Sequence, residues 1–147
     1  MLNDLHSPDL WTQLCAASTL IHERAVEALI DLASDPNAPN QARWRSTTLL
    51  GWLADVQAVA PLIALIADPS WEVRNSAVWS LGMIGAAEAF EPLCSVFQTS
   101  KDEQVPYIAA LMLIRIDPVR ARDVLSAALN HAEESVQRIA HSALATL

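Results

Sequence analysis

The chain has 147 residues, of which 52% are hydrophobic and 18% are charged, a length and composition that suit one domain with a substantial core. Seventeen acidic against nine basic residues give a net charge of −8. This balance argues against binding to nucleic acid or to an anionic membrane surface, because both require positive charge. No apolar run reaches the ~18 residues of a membrane span. The start of the chain lacks the basic and apolar segments of a secretory signal, so we expect a cytoplasmic protein.

The hydrophobic pattern predicts nine helices, joined by short polar connectors and without strands. Ser7-Pro8-Asp9 suits the start of the first helix after a loose tail, and the Pro- and Asn-rich stretch at 35–40 suits a loop. The final helix has no predicted partner after it and serves either as a cap or as an apolar end that pairs with another subunit. The predicted helices occupy about 7–21, 22–34, 41–53, 54–67, 69–84, 89–98, 105–116, 118–130 and 136–147.

The central helix pair shows the start and stop signals most clearly. Asp68 suits the N-cap and Pro69 the first position of a helix that Gly85 ends. An interior proline would break one helical hydrogen bond. Pro92 therefore predicts either a second helix that begins close to Ala89 or a helix that is kinked.

The central stretch 68–98 recurs along the chain every 31 to 33 residues. A shift of 31 places Ala42, Leu50, Gly51 and Leu62 on Val73, Leu81, Gly82 and Leu93. The next copies place Val105, Ala109 and Leu113, and then Val136, Ala140 and Leu144, on Val73, Ala77 and Leu81. Helix pairs repeated at this period predict an all-α solenoid, which we expect to be right-handed with about four and a half pairs. We assign units to 7–35, 36–67, 68–99 and 100–131, with a half unit at 132–147.

The repeat resembles a known family. Its pattern is Asp-Pro at 68–69, Val73-Arg74, Ala77, Leu81-Gly82 and Pro92-Leu93, and it resembles a HEAT-like repeat of the phycobilisome-lyase type over nearly the whole chain. In the fourth unit Pro106, Ile114 and Val124 depart from this pattern. The resemblance implies the fold. It also implies one role, because lyases of this type attach an open-chain tetrapyrrole to antenna proteins, or remove it, usually as a pair of different HEAT-like subunits.

Catalytic chemistry is not evident in the sequence. Cys15 and Cys94 lie about two units apart and are expected to be free thiols in a reducing compartment. His22-Glu23 resembles the His-Glu pairs of deoxyhypusine hydroxylase, an iron enzyme on similar repeats, but that family needs several pairs and this chain has one. We therefore predict no catalytic residue, no metal site and no cofactor. Asp68 with Arg74, and Asp35 with Arg43 or Arg45, are expected to join neighbouring loops into a ladder.

Two surfaces are candidates for partner binding. Stepping by 100° per residue along the second helices gives a predicted concave surface rich in carboxylates, which would suit a basic or amphipathic segment. We call this surface the acidic face: Arg24, Glu27, Asp31, Gln57, Glu88, Glu91, Gln98, Arg120 and Asp123. The alternative is a set of simply solvated helix faces.

The same stepping along the first helices places aromatic side chains on the predicted convex side, with Trp11 nearby. We call this surface the tryptophan face: Trp44, Trp52, Trp71, Trp79, Met83 and Tyr107. An exposed apolar patch with Trp and Tyr indicates a contact site, either a homodimer or a partner interface. In the alternative interpretation several of the tryptophans fill gaps between neighbouring helices.

These features favour a non-enzymatic protein–protein interaction scaffold that binds its partner on one of the two faces. The alternative, which the resemblance implies, is a small subunit or chaperone of a phycobilin lyase-like system that handles an open-chain tetrapyrrole.

Overall fold

The computed structural model describes the backbone of residues 10–102 and 104–147. Side chains are described for Thr19, for residues 22–102 and for residues 104–147. This part of the chain contains α-helices and short 3₁₀ turns, without strands. The turns Val56–Ala58 and Ala87–Ala89 precede α3 and α5. The helices are α1 (Leu10–Ser34), α2 (Asn40–Leu53), α3 (Val59–Leu65), α4 (Trp71–Ile84), α5 (Phe90–Thr99), α6 (Val105–Ile116), α7 (Pro118–Ala128) and α8 (Glu134–Leu144).

The first helix differs from the prediction. We expected two helices that meet at 21–22, but α1 runs unbroken through 25 residues. The stretch around this point contains neither Gly nor Pro, so nothing interrupts the helical hydrogen bonds. His22 is therefore not at a helix start; its Nε2 lies 3.0 Å from Oδ2 of Asp55 in the loop before α3. The predicted tail and the cap at Ser7 lie outside the described residues.

The central pair confirms one predicted boundary and corrects another. Gly85 ends α4 in the left-handed conformation with φ of 74°, as predicted. The N-cap is Ser70 rather than Asp68, because the Ser70 Oγ accepts from the Val73 N–H at 3.3 Å. Oδ1 of Asp68 instead accepts from the Ser70 N–H at 2.9 Å. Since α5 begins at Phe90, Pro92 lies in its first turn and needs no kink.

The core follows the repeat. Val73, Ala77, Leu81 and Leu93 are fully buried, while Ile84 is half-buried. Most of their counterparts in the neighbouring units are also buried: Leu50, Leu62, Val105, Ala109, Leu113, Leu125, Val136 and Ala140. Ala42 and Leu144, which the repeat places on Val73 and Leu81, are only half-buried. The periodicity thus correctly predicted most of the buried positions from α2 to α8.

Two glycines allow successive first helices to pack closely. A Cβ on Gly51 would lie 2.8 Å from the Cα of Ser80, and a Cβ on Gly82 would lie 2.6 Å from the Cβ of Met112. At these points α2 meets α4, and α4 meets α6. The contacts include a hydrogen bond from the Ser80 Oγ to the Thr47 carbonyl at 2.8 Å.

Arginine–aspartate pairs join successive units, but the paired carboxylates are not the predicted ones. Arg74 reaches Asp68 only at its backbone carbonyl, at 2.7 Å. Arg43 binds both carboxylate oxygens of Asp68, and its Nε donates to the Ala33 carbonyl at 3.1 Å. Arg74 binds Asp102 with two hydrogen bonds of 3.0 and 2.7 Å. Each arginine thus reaches the connector that follows its own unit. We call these two pairs the inter-unit rungs.

The rungs change the acidity of their carboxylates. Burial raises the pKa of Asp68, but the hydrogen bonds from Arg43 and the Ser70 N–H, together with the nearby guanidinium charges, outweigh burial and hold that pKa below its usual value. Hydrogen bonds from Arg74 lower the pKa of Asp102, against a smaller effect of burial. Both aspartates are therefore ionised at neutral pH.

Candidate partner-binding faces

All nine residues of the acidic face are exposed. Three lie on α1, and the others lie on or just before the second helices α3, α5 and α7. One ion pair crosses between units here, with a guanidinium nitrogen of Arg120 2.6 Å from Oε1 of Glu91. The same guanidinium lies 4.0 Å from the centroid of the Phe90 ring. Arg120 is therefore held in place by a carboxylate and an aromatic ring.

The other carboxylates of this face carry uncompensated charge. Within the described residues, Glu27, Asp31, Glu88 and Asp123 form no ion pair. Solvated carboxylates attract cationic side chains over about one Debye length, roughly 8–10 Å at physiological salt. The face can therefore attract a basic segment, although charged side chains are exposed in almost every protein.

The tryptophan face is only partly open to water. Trp52 and Trp71 expose 67% and 50% of their surface, and Tyr107 is also exposed. Trp44, Trp79 and Met83 are half-buried, so only part of this set faces water. Trp44 packs against the core, and the Trp79 ring lies 5.4 Å from that of Trp52 at an angle of 57°. The side chain of Trp11 is not described.

The sequence interpretation missed two exposed apolar residues beside Trp52. Leu49 is 49% exposed and Leu53 is also exposed. Leu49 lies three residues before Trp52 and four before Leu53 on α2, spacings that bring Leu49 next to each of them on the helix surface. The sequence could have predicted this exposure, because neighbouring residues of a helix point about 100° apart and Leu49 therefore points away from the side of the buried Leu50. Leu49 and Leu53 extend the tryptophan face.

A buried polar atom lies on the same helix as two of the tryptophans. Asn75 stands between Trp71 and Trp79 on α4, and its Oδ1 has no hydrogen-bond partner among the described residues. An unsatisfied buried acceptor costs about 1–3 kcal/mol. Asn75 therefore marks a place where the packing of α4 is not optimised for stability.

Groups that could carry chemistry are few in the described region. No cluster of three or more His, Cys, Asp or Glu side chains suited to a metal ion occurs there. The buried Cys94 is a free thiol, and burial, with a contribution from the Glu91 charge, raises its pKa. None of the described helices is long and apolar enough to cross a membrane.

Comparisons with known proteins agree with this architecture. The sequence pattern of HEAT repeats matches residues 5–81 and 26–113. The phycocyanobilin lyase subunit alpha of Picosynechococcus sp. is 37% identical over 76 residues, a match that covers 48% of this chain and 28% of that protein.

Two solved structures are similar. Human deoxyhypusine hydroxylase in complex with glycerol matches with a TM-score of 0.75 and 23% identity, over 87% of this chain and 45% of that one. The complex of CpcE and CpcF of phycocyanin lyase from Nostoc sp. matches with a TM-score of 0.61 and 27% identity, over 97% of this chain and 61% of that one. The present chain spans less than two thirds of each relative. The matches confirm the predicted all-α solenoid and the relation to phycobilin lyase subunits, and the chain belongs to the HEAT repeat family.

Proposed function

We propose that this chain is a non-enzymatic protein-binding module whose partner packs on the tryptophan face. One observation carries the proposal: Trp52 and Trp71 are at least half exposed, with Leu49 and Leu53 beside Trp52. Grouped apolar side chains on a surface mark contact sites, and Trp is among the most frequent anchors of protein interfaces. Burying such a side chain contributes about 25 cal/mol for each Å² removed from water.

The acidic face is a second candidate contact surface, on the predicted side opposite the tryptophan face. Its unpaired carboxylates suit a basic or amphipathic segment that reaches this side, and they would act mainly on the association rate and on selectivity. The partner is either a second copy of this chain or a different protein. A solved relative is a complex of CpcE with CpcF, which supports a second HEAT-repeat subunit as the partner.

Light scattering on the wild type and on Trp52→Glu tests the proposal. If the wild type is a dimer, Trp52→Glu should give the monomer mass. If it is a monomer, the wild type should capture a protein from cells of its source that Trp52→Glu does not capture. Val119→Glu is the matched control, because Val119 is 74% exposed on α7 and lies outside both faces. Equal behaviour of Trp52→Glu and Val119→Glu would contradict the proposal.

The acidic face is tested separately with Glu88→Lys. Glu88 is exposed and forms no ion pair with a described residue, so the substitution reverses a charge without removing a structural contact. We expect slower association with the captured partner and a weaker dependence of the rate on salt. An unchanged rate at low salt would restrict the interface to the tryptophan face.

The second candidate function is that of a phycobilin lyase-like subunit. The supporting observation is the 37% identity to a phycocyanobilin lyase subunit over about half of this chain. A subunit of this kind should bind phycocyanobilin, and the chromophore's visible absorbance should change when the protein is added. We expect no chromophore transfer to phycocyanin by the chain alone. An unchanged absorbance at saturating protein would exclude this candidate, whereas transfer by the chain alone would exclude the non-enzymatic proposal.

A further inference from the structure

The series of inter-unit rungs stops after the second one. Arg43 and Arg74 each bind the aspartate of the following connector. The repeat places Pro106 of α6 at the position of Arg74, and proline offers no guanidinium. The junction between α6 and α8 therefore lacks the rung that the two preceding junctions contain.

A cavity of about 480 Å³ lies at this junction. Its walls come from the first turn of α6, from one side of α8 between Ser135 and Ser142, and from the connector before α6. This volume is within the range of small-molecule sites, roughly 300–1,000 Å³. The lining residues that matter for binding are Lys101, Tyr107, Ser135, Arg138 and Ser142.

Two cations of the cavity have no partner among the described residues. Lys101 and Arg138 are exposed and form no ion pair within the region that the structure describes. Asp102 also lines the cavity, but its two oxygens are bound by Arg74. The charge of Asp102 is thus compensated from the neighbouring unit, and the described lining carries two unpaired positive charges.

Hydrogen-bond donors accompany these charges. The side chains of Tyr107, Ser135 and Ser142 make no hydrogen bond to a described residue. Both helices at the cavity also begin without a side-chain cap, at Gln104 for α6 and at Glu133 for α8. The partial positive charge at a helix N-terminus favours anions, although Pro106 in the first turn of α6 supplies no N–H.

We propose that the cavity between α6 and α8 binds a small ligand through a phosphate or carboxylate group. Lys101 and Arg138 supply the charge, and the three hydroxyl groups supply further hydrogen bonds. A cationic ligand that replaces the missing arginine is the competing occupant, because Glu133 and Glu134 lie at the start of α8. Neither glutamate lines the cavity, however, whereas both cations do.

The probes are inorganic phosphate and acetate, each titrated at constant ionic strength while backbone amide resonances are followed by NMR. We expect saturable shifts at Tyr107, Ser135 and Val136 with at least one probe, and the stronger probe identifies the anion class. Lys101→Gln and Arg138→Gln should each weaken binding about ten- to a hundredfold, as expected for loss of one charged hydrogen bond. The double variant should show no saturation.

Arg122→Gln is the matched control, because Arg122 is exposed on α7 outside the cavity and should leave binding unchanged. Shifts that never saturate with either anion would overturn the proposal, as would equal losses in Arg122→Gln and Arg138→Gln. Saturation by guanidinium at low concentration, without a response to either anion, would identify a cation site instead. Tyr107 of the tryptophan face lines the cavity, but Trp52 and Trp71 do not. A failure here therefore leaves the Trp52→Glu test of the proposed function unaffected.

Discussion

Among the described residues, three arginine–carboxylate pairs connect successive units and differ mainly in their exposure to water. In the Arg43–Asp68 pair the side chains are 10% and 6% exposed. In Arg74–Asp102 they are 21% and 30% exposed, and in Arg120–Glu91 they are 50% and 77% exposed. Isosteric substitution of each carboxylate by its amide removes the charge and keeps the shape. The substitutions Asp68→Asn, Asp102→Asn and Glu91→Gln therefore form a series that isolates the effect of burial.

The expected losses follow from how completely water can replace the missing partner. Asp68→Asn leaves the Arg43 guanidinium buried without its counter-charge, and breaking a buried pair on one side costs about 3–5 kcal/mol. For Asp102→Asn we expect about 1–2 kcal/mol, because solvent reaches both partners and screens part of the interaction. Glu91→Gln should cost at most about 1 kcal/mol, as is usual for exposed pairs.

Urea unfolding followed by far-ultraviolet circular dichroism at pH 7 measures this series. The free energy of unfolding should fall in the order Glu91→Gln, Asp102→Asn, Asp68→Asn, with the smallest loss first. The loss in Asp68→Asn is a large part of the roughly 5–15 kcal/mol that stabilises a typical domain. A loss in Asp68→Asn no larger than that in Glu91→Gln would refute the reasoning, because burial would then not determine the strength of the pairs.

Three further predictions concern pH, helix packing and thiol reactivity. Folding lowers the pKa values of Asp68 and Asp102. Their ionised carboxylates therefore stabilise the folded protein fully at a pH above the ordinary Asp pKa of about 3.9, and this stabilisation is lost as the pH falls through their lower pKa values in the folded state. The stability advantage of the wild type over the double Asn variant should therefore disappear in acid, and an advantage that persists at pH 2 would contradict this. Gly51→Ala and Gly82→Ala should each lower the melting temperature. The added methyl group overpacks the helix contact at a cost of about 1–3 kcal/mol, which outweighs the roughly 1 kcal/mol gain in helix propensity. A higher melting temperature in both variants would contradict the close approach of the helices. In a Cys15→Ser background Cys94 should react with a thiol reagent only in denaturant, because it is buried and its pKa is raised, and rapid reaction of the folded protein would disprove its burial.

The core was predictable because one physical requirement recurs in every unit. Each helix must bury one apolar side against its neighbours, so Leu50, Leu81 and Leu113 return at a fixed spacing and are all fully buried. Gly85 was predictable for a local reason, since the left-handed conformation at a helix end suits glycine. Periodicity and local backbone preference therefore sufficed for the solenoid and for this boundary.

The errors arose where the outcome depends on competition between nearby groups. Both Asp68 and Ser70 can cap α4, and the geometry of the connector decides for Ser70. The partners of Arg43 and Arg74 lie 25 and 28 residues further on, a separation that local spacing cannot reveal. The break expected in α1 was inferred from the repeat, although no residue there would end a helix. Local signals should therefore take precedence over the period when the two disagree.

Departures from the repeat point to function more directly than the repeat itself. Positions that follow the period are explained by folding, because every unit needs the same buried contacts. The replacement of the expected arginine by Pro106 has no such explanation, and a cavity lined by Lys101 and Arg138 lies at that junction. Likewise Leu49 and Trp52 place large apolar groups in water, at a cost that only a bound partner would remove. In a repeat protein, the residues that break the pattern without stabilising the fold are therefore the first ones to test for binding.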